Sequence, residues 1–452
     1  MVTVVERCRV APPDAAAELS LPLTFFDMFW LDFHPIQRLL FYEFPCSESH
    51  FIHTIIPNIK TSVARALQHF LPLAGNFIYP SGLQMPQIQF NNGDSVSVVF
   101  AESDDDFSYL TANHARDARK FYPYLPELSP IINLSSCRLI PILAVQVTLF
   151  PNIGVSIGLT NHHVVGDASS TVSFLKSWAE ICKLGGGVEC LDSKFLPLYD
   201  RCLIKDPNGD IAKKYWNQLR KDVSYDSNHQ NDHENKFRAT FVMKEANIQK
   251  LKNLVANSEE PNNSCHHIST FTVTSAYVWT CLAKSSASIG EDDGMEYFIF
   301  AADFRARMNP PLPANYFGNC VGPFFAKLPR SRLIEKDGFA VTVKLIGEVI
   351  YRGLYQNKEE VLKDVEDWPS QLGAVEWDRT LGMAGSPRFD VYDADFGWGK
   401  PKKFESISID HDGCMSLCKS RDSEKDLEIG LSLPKIKMNA FATIFRDGLA
   451  IV

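Results

Sequence analysis

The sequence contains no apolar run approaching the ~18 residues of a membrane span, so none of its 452 residues is expected to cross a bilayer. It has no basic cluster either. Lys and Arg total 45 against 54 Asp and Glu, a formal net charge of −9, which argues against sequence-independent nucleic-acid binding, because that needs clustered cations. An acidic chain can still hold a polyanion in a local basic pocket, so a phosphate-bearing co-substrate stays open. There is no disulfide rhythm. The eleven cysteines are odd in number and scattered, which fits free thiols in a reducing compartment and makes the cytoplasm the expected location. Cys414 and Cys418 have no second pair at zinc-ligand spacing, so no metal site is expected. No Gly-x-Ser-x-Gly elbow occurs and no cysteine sits in a nucleophile setting, which removes the usual routes to a covalent acyl-enzyme. No internal repeat is visible.

What is present is ordinary globular composition, 45% hydrophobic and 22% charged, in a chain long enough for two large domains. Ile59, Val63, Leu67 and Phe70 recur at helical spacing over 59–71, before Pro72. Residues 143–150 alternate, as do 155–159, and the Pro151–Gly154 turn between them makes an antiparallel hairpin. Beyond Asp167 the pattern turns helical, with Val172, Leu175, Trp178, Ala179 and Cys182 on one side and Gly185 as the stop. The irregular stretch from Gly185 through Gly209 marks a crossover. The expected organisation is therefore an N-terminal domain over 1–195, a linker over 196–225 and a C-terminal domain over 226–452. Residues 221–236 and 285–294 read as polar surface loops. In the last third a meander is expected, with Ile407 and Ile409 alternating in a strand, a turn at Asp412-Gly413, a strand through Leu427–Leu433, and a closing helix from about Met438.

The hairpin's second strand leads into Asn161-His-His-Val-Val-Gly-Asp167. His163 stands four positions before Asp167 at a strand-to-helix turn. An imidazole, whose unperturbed pKa lies near ~6.5, suits proton transfer at neutral pH. His162 and His163 point to opposite sides of an extended segment, and the spacing to Asp167 selects His163. Taken alone, Asp167 reads equally as a helix N-cap and His163 as a buried histidine. A lone base that activates a substrate hydroxyl against an acyl donor needs no enzyme nucleophile.

A second motif stands near the end: Asp395-Phe-Gly-Trp-Gly399. With His163-Val-Val-Gly-Asp167 it makes the chain resemble the plant BAHD acyltransferases over essentially its whole length. Leu21-Pro-Leu-Thr-Phe-Phe-Asp27, Leu71-Pro-Leu-Ala-Gly75 and Tyr316-Phe-Gly-Asn-Cys320 resemble the branch that acylates anthocyanin, flavonoid and other phenolic glucosides. The resemblance implies an α/β, two-domain fold like that of chloramphenicol acetyltransferase, with mixed sheets, flanking helices and a channel between the domains. It implies a monomer that moves malonyl from malonyl-CoA, a co-substrate and not a resident cofactor, to a glucoside hydroxyl, the 6-hydroxyl of glucose being favoured. His163 would be the base, Asp167 would hold the loop that shapes it, and Asp395 would tie its own loop to a basic partner. Both carboxylates are therefore grouped with the histidine as candidate catalytic-site residues. Transfer from hydroxycinnamoyl-CoA and a catalytically silent binding protein of the same fold are the alternatives. A carrier-protein condensation domain shares only the histidine motif.

Alignment by motif implies that Lys252, Ser269 and Thr270 touch the phosphoadenosine end of CoA, and that Arg305 braces the channel near it. From the residues alone, Lys252 reads as a solvated helix lysine and Ser269-Thr270 as a helix start. A malonyl donor carries a free carboxylate, which calls for an arginine; Arg38, Arg379 and Arg388 are the candidates. Ala384-Gly-Ser-Pro387 stands where aromatic-acyl relatives can place a tryptophan, which leaves a backbone N–H near Ser386 as the candidate oxyanion donor.

Overall fold

The computed structural model describes residues 1–13, 17–185, 196–220, 235–257, 268–356 and 361–451. In chain order the strands of its two large sheets begin with β1 (Val2–Val10), β2 (Ile36–Tyr42), β3 (Val96–Ser103), β4 (Arg116–Asp117), β5 (Leu143–Phe150) and β6 (Gly154–Asn161). They continue with β7 (Lys236–Met243), β8 (Met295–Asp303), β9 (Val321–Pro329), β10 (Thr380–Ala384), β11 (Lys403–Ser406), β12 (Cys414–Lys419) and β13 (Leu427–Pro434). The helices used below are α1 (Phe25–Met28), α2 (Ile56–His69), α3 (Ala168–Lys183), α4 (Glu245–Asn257), α5 (Thr270–Ser288), α6 (Gly338–Leu354) and α7 (Lys435–Ile451).

The first sheet has the order β1-β3-β5-β6-β2-β11 and the second β9-β8-β10-β12-β13-β7-β4. A smaller sheet of short strands lies between residues 19 and 141. Two strands cross between the halves of the chain. β11 pairs antiparallel with β2, Ser406 opposite Arg38, and β4 pairs with β7, Arg116 opposite Arg238. Buried charge accompanies the exchange. Arg116 and Arg238 lie 2.8 and 3.2 Å from Glu405, and Arg238 also meets Asp410. Burial alone would raise the Glu405 pKa, but the two guanidiniums hold it down to about 2.

The hairpin of β5 and β6 is the centre of the first sheet, and every residue of both strands is buried. Its turn places Asn152 at φ +59, a conformation asparagine tolerates. Strand β6 delivers His163 into a single 3-10 turn, and α3 follows with Asp167 as its N-cap. The expected apolar face of α3 is buried, with Trp178 fully covered and its Nε1–H donated to Ser62 Oγ at 3.1 Å. Gly185 ends it at φ +65.

Three expectations need correction. Helix α2 begins at Ile56 and breaks at Phe70, earlier than 59–71 at both ends. The span 285–294 is not all loop. Helix α5 runs through Ser288, because Ser285 and Ser288 satisfy their hydroxyls on the carbonyls of Leu282 and Ser285 at 2.7 and 2.8 Å. Ile407 and Ile409 are not strand neighbours. β11 stops at Ser406, and Ile409 opens a short helical turn that carries Asp410 down to Arg238, so a buried ion pair overrides a two-residue alternation. The closing helix starts at Lys435. Of the polar span 221–236, residues 221–234 lie outside the described residues. Among the described residues no helix is long and apolar enough to cross a membrane.

Candidate active site

His163 lines a cavity of about 650 Å³ whose walls come from both sheets. Trp30 and Arg38 stand on the N-terminal side, with Ser269, Asp303 and Ser386 opposite. Burial is the largest influence on the imidazole and lowers its pKa to about 4. Its own backbone carbonyl and Asp167 act to raise it, while Arg38 and His34 lower it. The ring is therefore neutral at pH 7, the form that accepts a proton. Nδ1 is buried with no partner on another described residue, so Nε2 is the nitrogen left to work in the cavity. His162 faces the other way. Its Nδ1 accepts from Val164 N at 3.2 Å, and burial takes its pKa to about 3.

Asp167 is fully engaged by groups other than the imidazole. Arg305 grips it bidentately at 2.7 and 3.1 Å, and the N–H groups of Ser170 and Cys320 donate at 3.2 and 3.0 Å. Arg305 also donates to the carbonyls of Tyr316 and Gly318 at 3.2 and 3.0 Å. The terminal nitrogens of the Arg305 guanidinium are thus held by protein acceptors, a brace across the two halves, and the residue also lines the cavity. Gly166 allows the tight approach. A Cβ there would lie 2.8 Å from Ser170 Cβ.

Arg38 projects from β2 beside the histidine. Its guanidinium donates to Asn161 Oδ1 at 3.1 Å. Among the described residues no carboxylate pairs with it, and desolvation alone draws its pKa down to about 10. Arg388 also lines the cavity but is exposed. Arg379 lies elsewhere, donating to the Asp292 carbonyl at 3.2 Å and facing Glu376 at 3.7 Å. The three arginines that the sequence left equal are therefore in three different settings.

Ser269 caps α5, its hydroxyl accepting from Thr272 N at 3.1 Å, and Thr270 accepts from Lys252 Nζ at 3.0 Å. Ser269 and Thr270 line the cavity. A long helix's N-terminus, two hydroxyls and a lysine are groups of the kind that can hold an anion.

Asp395 is not among the residues that line the cavity with His163, and its loop is tied to a basic partner. It accepts from Gly397 N and Gly399 N at 2.9 and 2.8 Å and meets Lys183 at 2.9 Å. Partial burial acts to raise its pKa, but these donors hold it below the usual carboxylate range. Gly397 and Gly399 have φ of +91 and +84, which favours glycine. Phe396 packs edge-on to Trp178, and Trp398 stacks on Phe44. The loop is a packed clasp between α3 and the first sheet.

Sequence reasoning missed Trp30, whose indole stacks on His163 at 4.1 Å. It quoted Tyr316–Cys320 without a role, yet Cys320 N and Asn319 Nδ2 hold the histidine loop. The aromatic run after Phe25 was the available signal for Trp30.

A model of the Transferase family matches residues 1–447. A BAHD acyltransferase of Arabidopsis thaliana is 36% identical over 463 residues, 99% of this chain and 98% of its own. The chain belongs to the BAHD acyltransferases. Within the family it is 44% identical to the malonyl-coenzyme:anthocyanin 5-O-glucoside-6'''-O-malonyltransferase of Salvia splendens, covering 99% of this chain and 95% of that protein. It is 46% identical to phenolic glucoside malonyltransferase 1 of Nicotiana tabacum over the whole of both. The BAHD fold is also seen in the solved structure of vinorine synthase, at TM-score 0.69 and 22% identity over 97% of this chain and 96% of that one. The TRI101 structure of F. sporotrichioides, complexed with coenzyme A and T-2, aligns at TM-score 0.65 and 14% identity over 94% and 97%.

Proposed function

We propose that this BAHD protein transfers malonyl from malonyl-CoA to a sugar hydroxyl, the glucose 6-hydroxyl, of a phenolic, flavonoid or anthocyanin glucoside. The observation that carries the donor is Arg38, a guanidinium at the cavity wall beside His163 that no carboxylate among the described residues neutralises. A donor with an anionic acyl end completes that pair, whereas a neutral aromatic acyl group leaves the cation uncompensated. The acceptor class follows from the malonyltransferases to which the chain is 40–46% identical.

In the proposed reaction His163 Nε2 removes the proton from the sugar hydroxyl as its oxygen attacks the thioester carbonyl. The C–O bond forms and the carbonyl electrons move to oxygen, where a backbone N–H near Ser386 is our candidate donor. The intermediate reforms the carbonyl by expelling the CoA thiolate, which takes the proton from the imidazolium. The product is a malonyl ester and free CoA, and the imidazole is neutral again. Asp167 acts only through the loop it pins. Ser269, Thr270 and Lys252 are our phosphate contacts for CoA. We take residues 1–195 and 226–452 as the two domains, with 196–225 between them, in a monomeric cytoplasmic enzyme. The odd number and scatter of the cysteines in the sequence support a reducing compartment.

Purified protein incubated with a phenolic glucoside and, separately, malonyl-, acetyl- and p-coumaroyl-CoA tests this by product mass. A malonyl ester is expected as the dominant product. Product from the aromatic donor alone overturns the donor assignment.

A further inference from the structure

A general base must keep its ring plane while it accepts and returns a proton, and in His163 the usual device is missing. Nδ1 has no partner on another described residue, and the carboxylate of Asp167 is taken up by Arg305, Ser170 and Cys320. In a serine-hydrolase triad a buried carboxylate performs that orientation. Here the group in contact with the ring is an indole. Trp30 lies face to face with the imidazole, centroids 4.1 Å apart and planes 10° from parallel. Trp30 is itself fixed edgewise by Phe29 at 5.1 Å and 89° and by Phe33 at 4.6 Å and 62°.

The two ring-bearing segments share a brace. Trp30 N donates to the Asp27 carbonyl at 3.1 Å, one turn after the Thr24 cap of α1. The fully buried Asp27 carboxylate closes that cap at Thr24 N, 2.9 Å away, and accepts from Asn319 N and Nδ2 at 3.0 and 3.1 Å. The same Nδ2 reaches the carbonyl of His163 at 3.1 Å. One buried carboxamide therefore sets both backbones in the register that brings the rings together.

We propose that Trp30 is the positioning residue of the catalytic histidine, holding its plane by stacking where other hydrolases and transferases use a carboxylate, with Asp27 and Asn319 as the brace. The indole keeps water from one face of the ring and offers its π face to the imidazolium that forms during transfer. The inference rests on His163 being the base. The charged and titratable groups that act on that ring include Arg38 from β2, Asp167 from its own loop, His34 from the segment after Trp30 and the adjacent His162, and replacing Trp30 removes none of them.

The test has a kinetic arm and a spectroscopic arm, both on the full chain. Trp30→Met fills much of the space without an aromatic face; Trp30→Phe keeps a smaller one. With whichever acyl-CoA the wild type turns over, Trp30→Met is expected to lose about 10–100-fold in kcat, the scale of a misplaced reacting group, with KM for acyl-CoA changed by less than about 3-fold. Its acid limb of kcat/KM should move up toward the ordinary histidine value of ~6.5 as water reaches the ring. Trp30→Phe should restore most of kcat and leave the limb in place. Wild-type kcat in Trp30→Met, or equal losses in both variants with an unmoved limb, overturns the proposal. In wild-type protein carrying 13C-labelled histidine, the His163 Cε1–H resonance, assigned by its loss in His163→Gln, should lie upfield through the indole ring current. A resonance at the position of exposed histidines overturns the stack itself, and this arm needs neither a folded Trp30 variant nor a substrate. An upfield His163 in a protein that rejects malonyl-CoA would sink the donor reading and leave the positioning role standing.

Discussion

The two motifs of the chain each hold an aspartate-glycine turn, Gly166-Asp167 and Asp395–Gly399, and they do different things with similar parts. Each carboxylate accepts backbone N–H groups and each meets a cation. Asp167 is 3% exposed and gripped bidentately by the equally buried Arg305, in a turn whose next neighbour is the cavity. Asp395 is a quarter exposed and meets Lys183, itself half in solvent, in a turn that faces packed aromatics. The bidentate arginine fixes direction as well as charge, whereas the lysine supplies a point charge. A motif can thus be equally visible in sequence whether it aims a reacting group or closes a seam, and only the neighbour of the turn tells which.

The comparison breaks most sharply at the histidine. His163→Ala should lower kcat by about 10²–10⁴-fold with an unchanged melting curve, measured by product formation and by circular dichroism. Turnover that stays within ~3-fold of wild type would remove the imidazole from the mechanism and leave both turns as scaffolding.

Asp167→Asn separates aiming from charge. It keeps the cap but leaves Arg305 buried without a counter-charge, a loss of about 3–5 kcal/mol that denaturant unfolding should detect. An unfolding midpoint equal to wild type would mean that the pair does not brace the halves.

Arg38→Met is expected to raise KM for malonyl-CoA by about 30-fold, the scale of one truncated charge pair, and to leave acetyl-CoA nearly unaffected. The malonyl-to-acetyl preference in a competition assay is the readout, and an unaltered preference points to Arg388 at the rim. The pH profile gives a smaller, related effect. Because burial lowers the His163 pKa to about 4, kcat/KM should stay flat from pH 8 to below 6, where an ordinary histidine would already have lost half its base form. Stability runs the other way. His162 and His163 bind protons more readily unfolded than folded, so the folded state weakens as pH falls through ~6.5 toward their lowered values. A thermal melt series over that range checks the sign.

How much of this could be read beforehand follows from what each feature depends on. The β5–β6 hairpin and α3 were legible because their signals are local: alternation, a proline-asparagine turn, helical spacing and a glycine stop. The histidine was legible by its place between them. The partner of Asp167 was not, since Arg305 lies 138 positions away, and neither was the choice among three arginines, which depends on a β2 register opposite Leu159. The strand exchange of β4 and β11 was invisible for the same reason. A two-residue strand such as Arg116–Asp117 has no periodicity to detect, and its place is set by the buried charge of Glu405. The Ile407 and Ile409 alternation misled because Asp410 between them had a stronger claim on the chain.

The smallest effect belongs to the second turn. In Asp395→Ala the N–H groups of Gly397 and Gly399 lose their acceptor and Lys183 its partner, but the loop lies at a partly solvated edge where water can replace both. A cap of this kind is worth about 1 kcal/mol, so the melting temperature should fall by a few degrees while kcat per folded molecule stays within about 3-fold, far short of the 10²-fold that marks a group taking part in proton transfer. Trp398 remains stacked on Phe44 and Phe396 against Trp178, so the clasp keeps its apolar half. A kcat loss as large as that of His163→Ala, in protein that melts like wild type, would mean that the Asp395 turn acts on the cavity after all, and the contrast between the two turns would fail.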